Sequence, residues 1–508
     1  MRGTLIAAFA ALPLFAVGAP PTLESIFPPG GQQGRETELT LSGKFDPWPV
    51  ALWSSAKGVT FLPDKEKPGT GKLKIDAAVP EGPIYLRVHN AEGASASLLF
   101  IVSSRTELRE EEKDNSTLAG ALPLDRTKFP FTLNGTLSTG GELDAYRIAL
   151  EKGETLHARV EAYGLRSLVD PALQLYDASG NRLLLAHDGA RNLDPALRFT
   201  APAKGDYLLS LVGFSHPPAA SVAYTGSKNA HYRLSLALKE EDLPSRLRPS
   251  DPGPDTASPE LSVGKDIVGT LKEKGKGNRH PVVAKKGEKL LLRVEGRSLG
   301  YPIDPVMRLL KPDGAELRRE DDTNKETDPE YLWTVAEDGT YAVEVLDRFG
   351  RAGNEMRYRL SATPPEPGFS ATVDKDLLVL ERGKPLDLKI TVTRRHGHTA
   401  ALDVTTEGLP AGISTGSPAK IAEKGGEVVL KFEAKADAPA FSGPFRVVLS
   451  DPASKDPGHK QVAAFSFRND NWRGPYALDE ITDLWLTLPP KKEEPKKEEA
   501  KKDAAEKK

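Results

Sequence analysis

Asp170–Gly180 reads DPALQLYDASG and Asp304–Gly314 reads DPVMRLLKPDG, so one eleven-residue figure occurs twice, 134 residues apart. Each opens on Asp-Pro, runs through apolar residues at every second position and breaks at a polar turn. Gly180 and Gly314 stand in that turn where a positive φ is easiest. The same offset holds well outside the figure. NGTL from Asn134 meets VGTL from Val268, EKGETLHARVE from Glu151 meets KKGEKLLLRVE from Lys285, and KGDYLLSL from Lys204 meets DGTYAVEV from Asp338. It slips to 126 only where YRLSL at Tyr232 meets YRLSA at Tyr358, which gives the first copy a surface loop eight residues longer. This is a tandem domain duplication. Within it, Leu156, Ala158 and Val160, then Leu197 and Phe199, then Leu209 and Leu211 alternate with polar residues. Period two with Gly, Pro, Asp and Asn between the runs predicts half-buried strands of a β-sandwich.

At 508 residues the chain is long enough for several domains of about 100–200 residues. It holds 45 Gly and 42 Pro, which suits a turn-dense, all-β chain. The formal net charge of -3 gives no globally basic surface, so nucleic acid is not an expected partner. There is no cysteine, which removes disulfides and thiolate metal sites; each domain must then bury a sufficient core of its own. Residues 1–18, with Arg2, an apolar run from Leu5 to Val17 and small residues at Gly18 and Ala19, read as a signal peptide. No later stretch reaches the roughly 18 apolar residues of a membrane span. The expected location is therefore secreted, periplasmic or cell-surface.

The succession LDAYRIALEKGETLHARVEA, DPALQLYDASGNRLL, DGARNLDPALRFTAPAKGDYLLSLVG and YRLSL resembles the bacterial pre-peptidase C-terminal domain. That resemblance implies a jelly-roll-like β-sandwich found in secreted peptidases and in many non-peptidase surface proteins. The second copy departs from it at GNRHPVVA, where Asn278 and His280 replace Asp144 and Tyr146. PPTLESIFPPGGQQGRETELTLSGKF with GPIYLRVHNAEGASASLLFIV is similar to the immunoglobulin-like IPT/TIG fold. FSATVDKDLLVLERGKPLDLKITVTRRHGHTAALDV with GEVVLKFEAKADAPAFSGPFRVVLS is similar to Ig-like modules in surface proteins of planctomycete-type bacteria.

The expected architecture is all-β, four sandwiches in tandem: an Ig-like unit at 20–104, two duplicated units at 112–238 and 259–363, and a second Ig-like unit at 366–470. A charged, Pro-rich linker fills 239–258, so the units should sit as beads on a string. In the C-terminal extension, 471–488, Ile481, Leu484, Trp485 and Leu488 fall at helical spacing. The mixed-charge Lys/Glu tail, 489–508, is expected to be disordered.

Few motifs carry chemistry. GISTG (Gly412–Gly416) fits the G-x-S-x-G elbow of serine hydrolases, but prolines at 410 and 418 and the lack of a following helical pattern argue for a loop. No H-E-x-x-H occurs. His396 and His398 read as a solvated hairpin tip beside Arg394 and Arg395. Trp333 falls in register with Phe199 and is expected to face the core, whereas Trp48, between Pro47 and Pro49, is a candidate ligand contact. The recurrent acids Asp170, Asp188 and Asp194 match Asp304, Asp322 and Asp328, with Asp321 added. Such loop carboxylates either gather around a structural calcium or cap backbone N–H groups, and capping is preferred here because they precede Pro or begin turns. The expected function is a non-enzymatic binding or spacer module at the cell surface, its partner a cell-envelope polysaccharide or protein. The alternative is an accessory or substrate-targeting subunit of a secreted hydrolase.

Overall fold

The computed structural model describes residues 19–110, 113–167, 169–190, 192–215, 223–323, 327–416, 419–454, 459–467 and 480–491. The expected signal peptide and most of the Lys/Glu tail lie outside the described residues. Strands dominate, and no α-helix occurs among the described residues. The strands pair into eight sheets that pack as four sandwiches.

In the first sandwich the strand Thr22–Phe27 belongs to one sheet and Gly30–Gln32 to the other, with Pro28 and Pro29 between them. Proline cannot donate to a ladder, so the chain changes sheets there. Gly30–Gln32 then runs parallel to the last strand, Leu98–Ser103. Along Gly82–Asn90, Ile84, Leu86 and Val88 enter the core, which turns Tyr85, Arg87 and His89 to the outer face.

The two duplicated units form the second and third sandwiches, and their strands superpose in the register of the repeat. Val169–Asp177 answers to Pro305–Leu310, Arg182–Ala186 to Glu316–Glu320, and Ala196–Thr200 to Glu330–Thr334. The second sandwich has five strands in each sheet and the third has four. The extra pair, Thr106–Arg109 and Leu122–Pro123, comes from the stretch ahead of Asn134, where the repeat register begins, each running parallel to its neighbour. Trp333 is 2% exposed in the third core, as its register with Phe199 requires.

The fourth sandwich differs from expectation at its end. Leu484–Leu488 is a strand, parallel to Leu377–Val379 and antiparallel to Phe441–Ser450, and all five of its residues are buried. It therefore holds the place that Leu98–Ser103 holds in the first sandwich, and the 471–488 extension contributes the closing strand of the domain. Leu484, Leu486 and Leu488 fill the core, while Trp485 and Thr487 face outward, Trp485 against Trp53 and His89 of the first sandwich. An apolar run buried on both faces has no alternation to show, which is why its spacing mimics a helix.

The beads-on-a-string expectation also fails. The 239–258 linker is packed: Leu243 is buried, Arg246 pairs with Glu161 of the second sandwich, and Asp251 pairs with Arg357 of the third. Proline and charge report the absence of regular structure there, and the charges find partners on both neighbours.

Candidate functional site

The recurrent acids split into two jobs. Asp194 is buried; its Oδ1 accepts from the Ala162 and Tyr163 amides at 2.9 and 2.8 Å and its Oδ2 from Gly164 at 2.8 Å. Burial pushes its carboxyl up to about 7, against the pull of those N–H groups. Asp328 repeats the arrangement on Gly296, Arg297 and Ser298, each amide at 3.0 Å. Both acids tie a tight turn to the strand that follows them. Replacing Asp194 by alanine orphans three buried donors, and we expect a loss of about 2–3 kcal/mol in the second sandwich. Calorimetry against the wild type and Asp194→Asn checks this; a wild-type melting temperature for the alanine variant would show that the cap contributes nothing.

Asp170 and Asp188 do not gather with Asp194. They flank His187, whose Nε2 lies 3.5 Å from Asp170 Oδ2 and whose Nδ1 lies 3.4 Å from Asp188 Oδ1. Asp170 accepts no backbone N–H among the described residues, so the expected cap is absent at this position; burial raises its carboxyl, with His187 opposing. In the third sandwich the same places hold Asp304, Asp322 and Asp321, the last in register with His187. There Arg348 pairs with Asp321, and Arg297 Nη1 stands 3.9 Å from Asp304 Oδ2. Their counterparts in the second sandwich are Phe214 and Tyr163. Neither group gathers the three matched acids of the expected calcium set. Both Asp194 and Asp328 have their oxygens on backbone N–H groups, the first copy offers an imidazole where calcium takes oxygen, and the second copy carries its own positive charge.

The carboxylate under most tension is Asp144, which the repeat register singled out because Asn278 replaces it. It is 1% exposed. Tyr232 Oη lies 2.7 Å from Asp144 Oδ2, Tyr146 Oη lies 2.6 Å from Tyr232 Oη, and Glu110 Oε1 lies 2.5 Å from Tyr146 Oη. Three oxygen–oxygen contacts need three protons. The two phenols supply two and one of the two terminal carboxyls the third; Asp144 is fully buried whereas Glu110 is part-exposed, so Asp144 is the one assigned the proton, donating to Tyr232, which donates to Tyr146, which donates to Glu110. Consistently, burial and then the Glu110 charge push the Asp144 carboxyl up to about 8. In the third sandwich the place is filled by neutral groups: Asn278 Nδ2 donates to Tyr358 Oη at 3.0 Å, and His280 Nε2 lies 2.7 Å from the same oxygen. Sequence reasoning missed Glu110 because it lies ahead of the duplicated segment and has no register partner.

A second buried polar centre joins the first sandwich to the fourth. The Arg87 side chain is 0% exposed. Its Nε donates to Ser97 Oγ at 2.9 Å and its Nη2 to Asp376 Oδ2 at 3.2 Å. The guanidinium lies 5.9 Å from the Trp53 ring and 5.4 Å from that of Trp485, the two indoles meeting edge to face at 5.8 Å. Burial and the neighbouring Arg87 charge lower the pKa of His89, which packs 4.8 Å from Trp485 as a neutral ring. Arg166 of the second sandwich reaches the same junction and covers Phe467 at 3.7 Å. Alternation along Gly82–Asn90 marks Arg87 as outward-facing, and sequence alone reads that as solvated.

The remaining candidates are held by local contacts. Trp48 is half-buried; its Nε1 donates to the Asp64 carbonyl at 2.7 Å and its ring packs against Phe45. His398 is buried, with Nδ1 beside Arg394 and Nε2 3.1 Å from Asp451, and His396 Nε2 lies 3.1 Å from Glu330 of the third sandwich. The hairpin tip is thus docked, not solvated, because Asp451 and Glu330 offset its positive charge. Ser414 lies exposed in the two-residue strand Ile413–Ser414, with no helix after it among the described residues. That geometry lacks the strand-turn-helix of a nucleophile elbow.

No family model matches the chain, and no curated protein matches it. Solved structures that match include the pre-peptidase C-terminal domain of collagenase from Bacillus anthracis, at 17% identity over 26% of this chain and 95% of that one, TM-score 0.16. The N-terminal four Ig domains of Dscam1 isoform 7.44 match at 13% identity over 93% of this chain and 100% of that one, TM-score 0.23. SGBP-B of the Bacteroides ovatus mixed-linkage glucan utilization locus, solved with a mixed-linkage heptasaccharide, matches at 11% identity over 67% and 74%, TM-score 0.15. At TM-scores this low the likenesses carry no argument about function; the strand pairing above establishes a chain of four β-sandwiches.

Proposed function

We propose that the chain is a non-enzymatic binding or spacer protein of the extracellular or cell-surface space, acting on a cell-envelope polysaccharide or protein. The observation that supports this reading best is the junction around Arg87. A flexible spacer has no use for a buried guanidinium between two tryptophans on different domains, whereas a protein that presents loops in a set geometry does. Fixing the sandwiches relative to one another cuts the ordering cost of a contact that spans two of them. The non-enzymatic reading is supported by Ser414, which lies in a two-residue strand with no helix after it among the described residues, and by Ser25, whose Oγ donates to Asn229 at 3.0 Å.

The expected result is retention of the intact chain by envelope fractions, with no turnover of casein or ester substrates. Retention equal to that of an unrelated β-sandwich protein would remove the binding reading. Turnover abolished by Ser414→Ala would remove the non-enzymatic one.

A further inference from the structure

We propose that the strand Arg182–Ala186 is the interface through which two copies of this chain pair, edge to edge and antiparallel about a two-fold axis. The strand lies at the outer edge of its sheet, hydrogen-bonded to Val169–Asp177 on one side only. Its residues Leu183, Leu184 and Leu185 are 39%, 38% and 56% exposed, a run of three large apolar side chains facing solvent. The other exposed large apolar residues are scattered singly among the described residues.

An unpaired, apolar edge strand is a template for another strand, and chains normally blunt such edges with charge. The duplication supplies the control within one molecule. The matching edge strand of the third sandwich, Glu316–Glu320, carries Arg318, Arg319 and Glu320 where the second sandwich has Leu184, Leu185 and Ala186. Those charges are further tied up locally, Arg318 with Glu320 and Arg319 with Glu316. One copy of the domain is guarded at this edge and the other is open.

Charge placement selects the occupant. Arg182 precedes the leucines and Asp188 follows them, and both are exposed. An antiparallel apposition centred on Leu184 sets Leu183 of each copy against Leu185 of the other and leaves Arg182 diagonal to Asp188 across the pair, within reach of its long side chain. A parallel one would set like charges together. An isologous contact of this kind is self-complementary and closes as a dimer.

Sedimentation of the intact chain should show a concentration-dependent dimer. Leu184→Arg with Leu185→Arg, the residues the third sandwich carries on an equally well-formed strand, should give a monomer with an unchanged melting temperature. Arg182→Glu should weaken pairing about tenfold, and adding Asp188→Arg should restore it. Because the chain has no cysteine, Leu184→Cys gives a clean probe, and its oxidation should yield a linked dimer far faster than Leu62→Cys, exposed on the first sandwich. A wild-type monomer at every concentration from nanomolar to high micromolar would overturn the proposal, as would a dimer that survives both arginines. Equal cross-linking at the two cysteine positions would overturn it as well.

Discussion

Asp144→Asn is expected to stabilise the second sandwich by roughly 3–4 kcal/mol at pH 7 and to leave it nearly unchanged at pH 4. The reason is the proton count in the Glu110, Tyr146, Tyr232 and Asp144 chain. In the folded state the Asp144 carboxyl titrates at about 8, whereas its ordinary value is 3.8. Below pH 3.8 both states hold the proton and the group costs nothing. As pH rises toward 8 the unfolded chain releases the proton while the folded one must keep it, so stability falls throughout that window and levels off above it. Asparagine offers an N–H in place of the carboxylic O–H and has no proton to lose. The third sandwich already shows that the pocket accepts it, with Asn278 donating to Tyr358.

The measurement is a set of melting curves from pH 4 to 9 in the presence of EDTA, for wild type and Asp144→Asn. The wild type should lose stability with rising pH in the transition of the second sandwich, and the variant should lose distinctly less, keeping only the share that the raised carboxyl of Asp194 contributes. A wild-type profile that is flat from pH 4 to 8 would sink the shared-proton reading. So would a melting temperature that rises with calcium in the wild type alone, since a cation would then stand where the proton is placed here.

This centre shows where sequence reading succeeds and where it stops. The duplication was legible because 134-residue register pairs nearly every strand, and the register alone flagged Asp144 by its exchange for Asn278. Caps were legible in type, since Asp before Pro is a turn signal, but Asp170 and Asp194 look alike in sequence and only the fold separates a backbone cap from a partner of His187. Contacts between sandwiches left no trace in periodicity. Tyr85, Arg87 and His89 sit at every second place of a strand whose other face is apolar, and that pattern reads as a solvated face. Leu484–Leu488 failed for the complementary reason: its second face is also covered, so the polar positions that would announce a strand are missing.

Arg87→Ala is expected to release the first sandwich from the fourth, with a loss of about 3–5 kcal/mol from their contact. Three interactions go at once: the pairing with Asp376, the bond to Ser97 and the packing between Trp53 and Trp485. The partner carboxyl is left buried without its countercharge, which is the costly way to break a buried pair. Each sandwich keeps its own core, because Ile84, Leu86 and Val88 on one side and Leu484, Leu486 and Leu488 on the other face away from the junction. The variant should therefore open without unfolding. Small-angle scattering should show a larger radius of gyration, and tryptophan emission should shift to the red as Trp53 and Trp485 meet water, while far-ultraviolet circular dichroism stays constant. Acid is not an equivalent trigger. Burial raises the Asp376 carboxyl, with Arg87 opposing, so the closed form holds that proton more tightly than the open one. Its contribution is kept at low pH and lost as pH rises through the folded value, hence mild acid should leave the junction shut. Scattering from Arg87→Ala identical to wild type would show that the two sandwiches stay together by other contacts, and would take with it the set geometry on which the binding proposal rests.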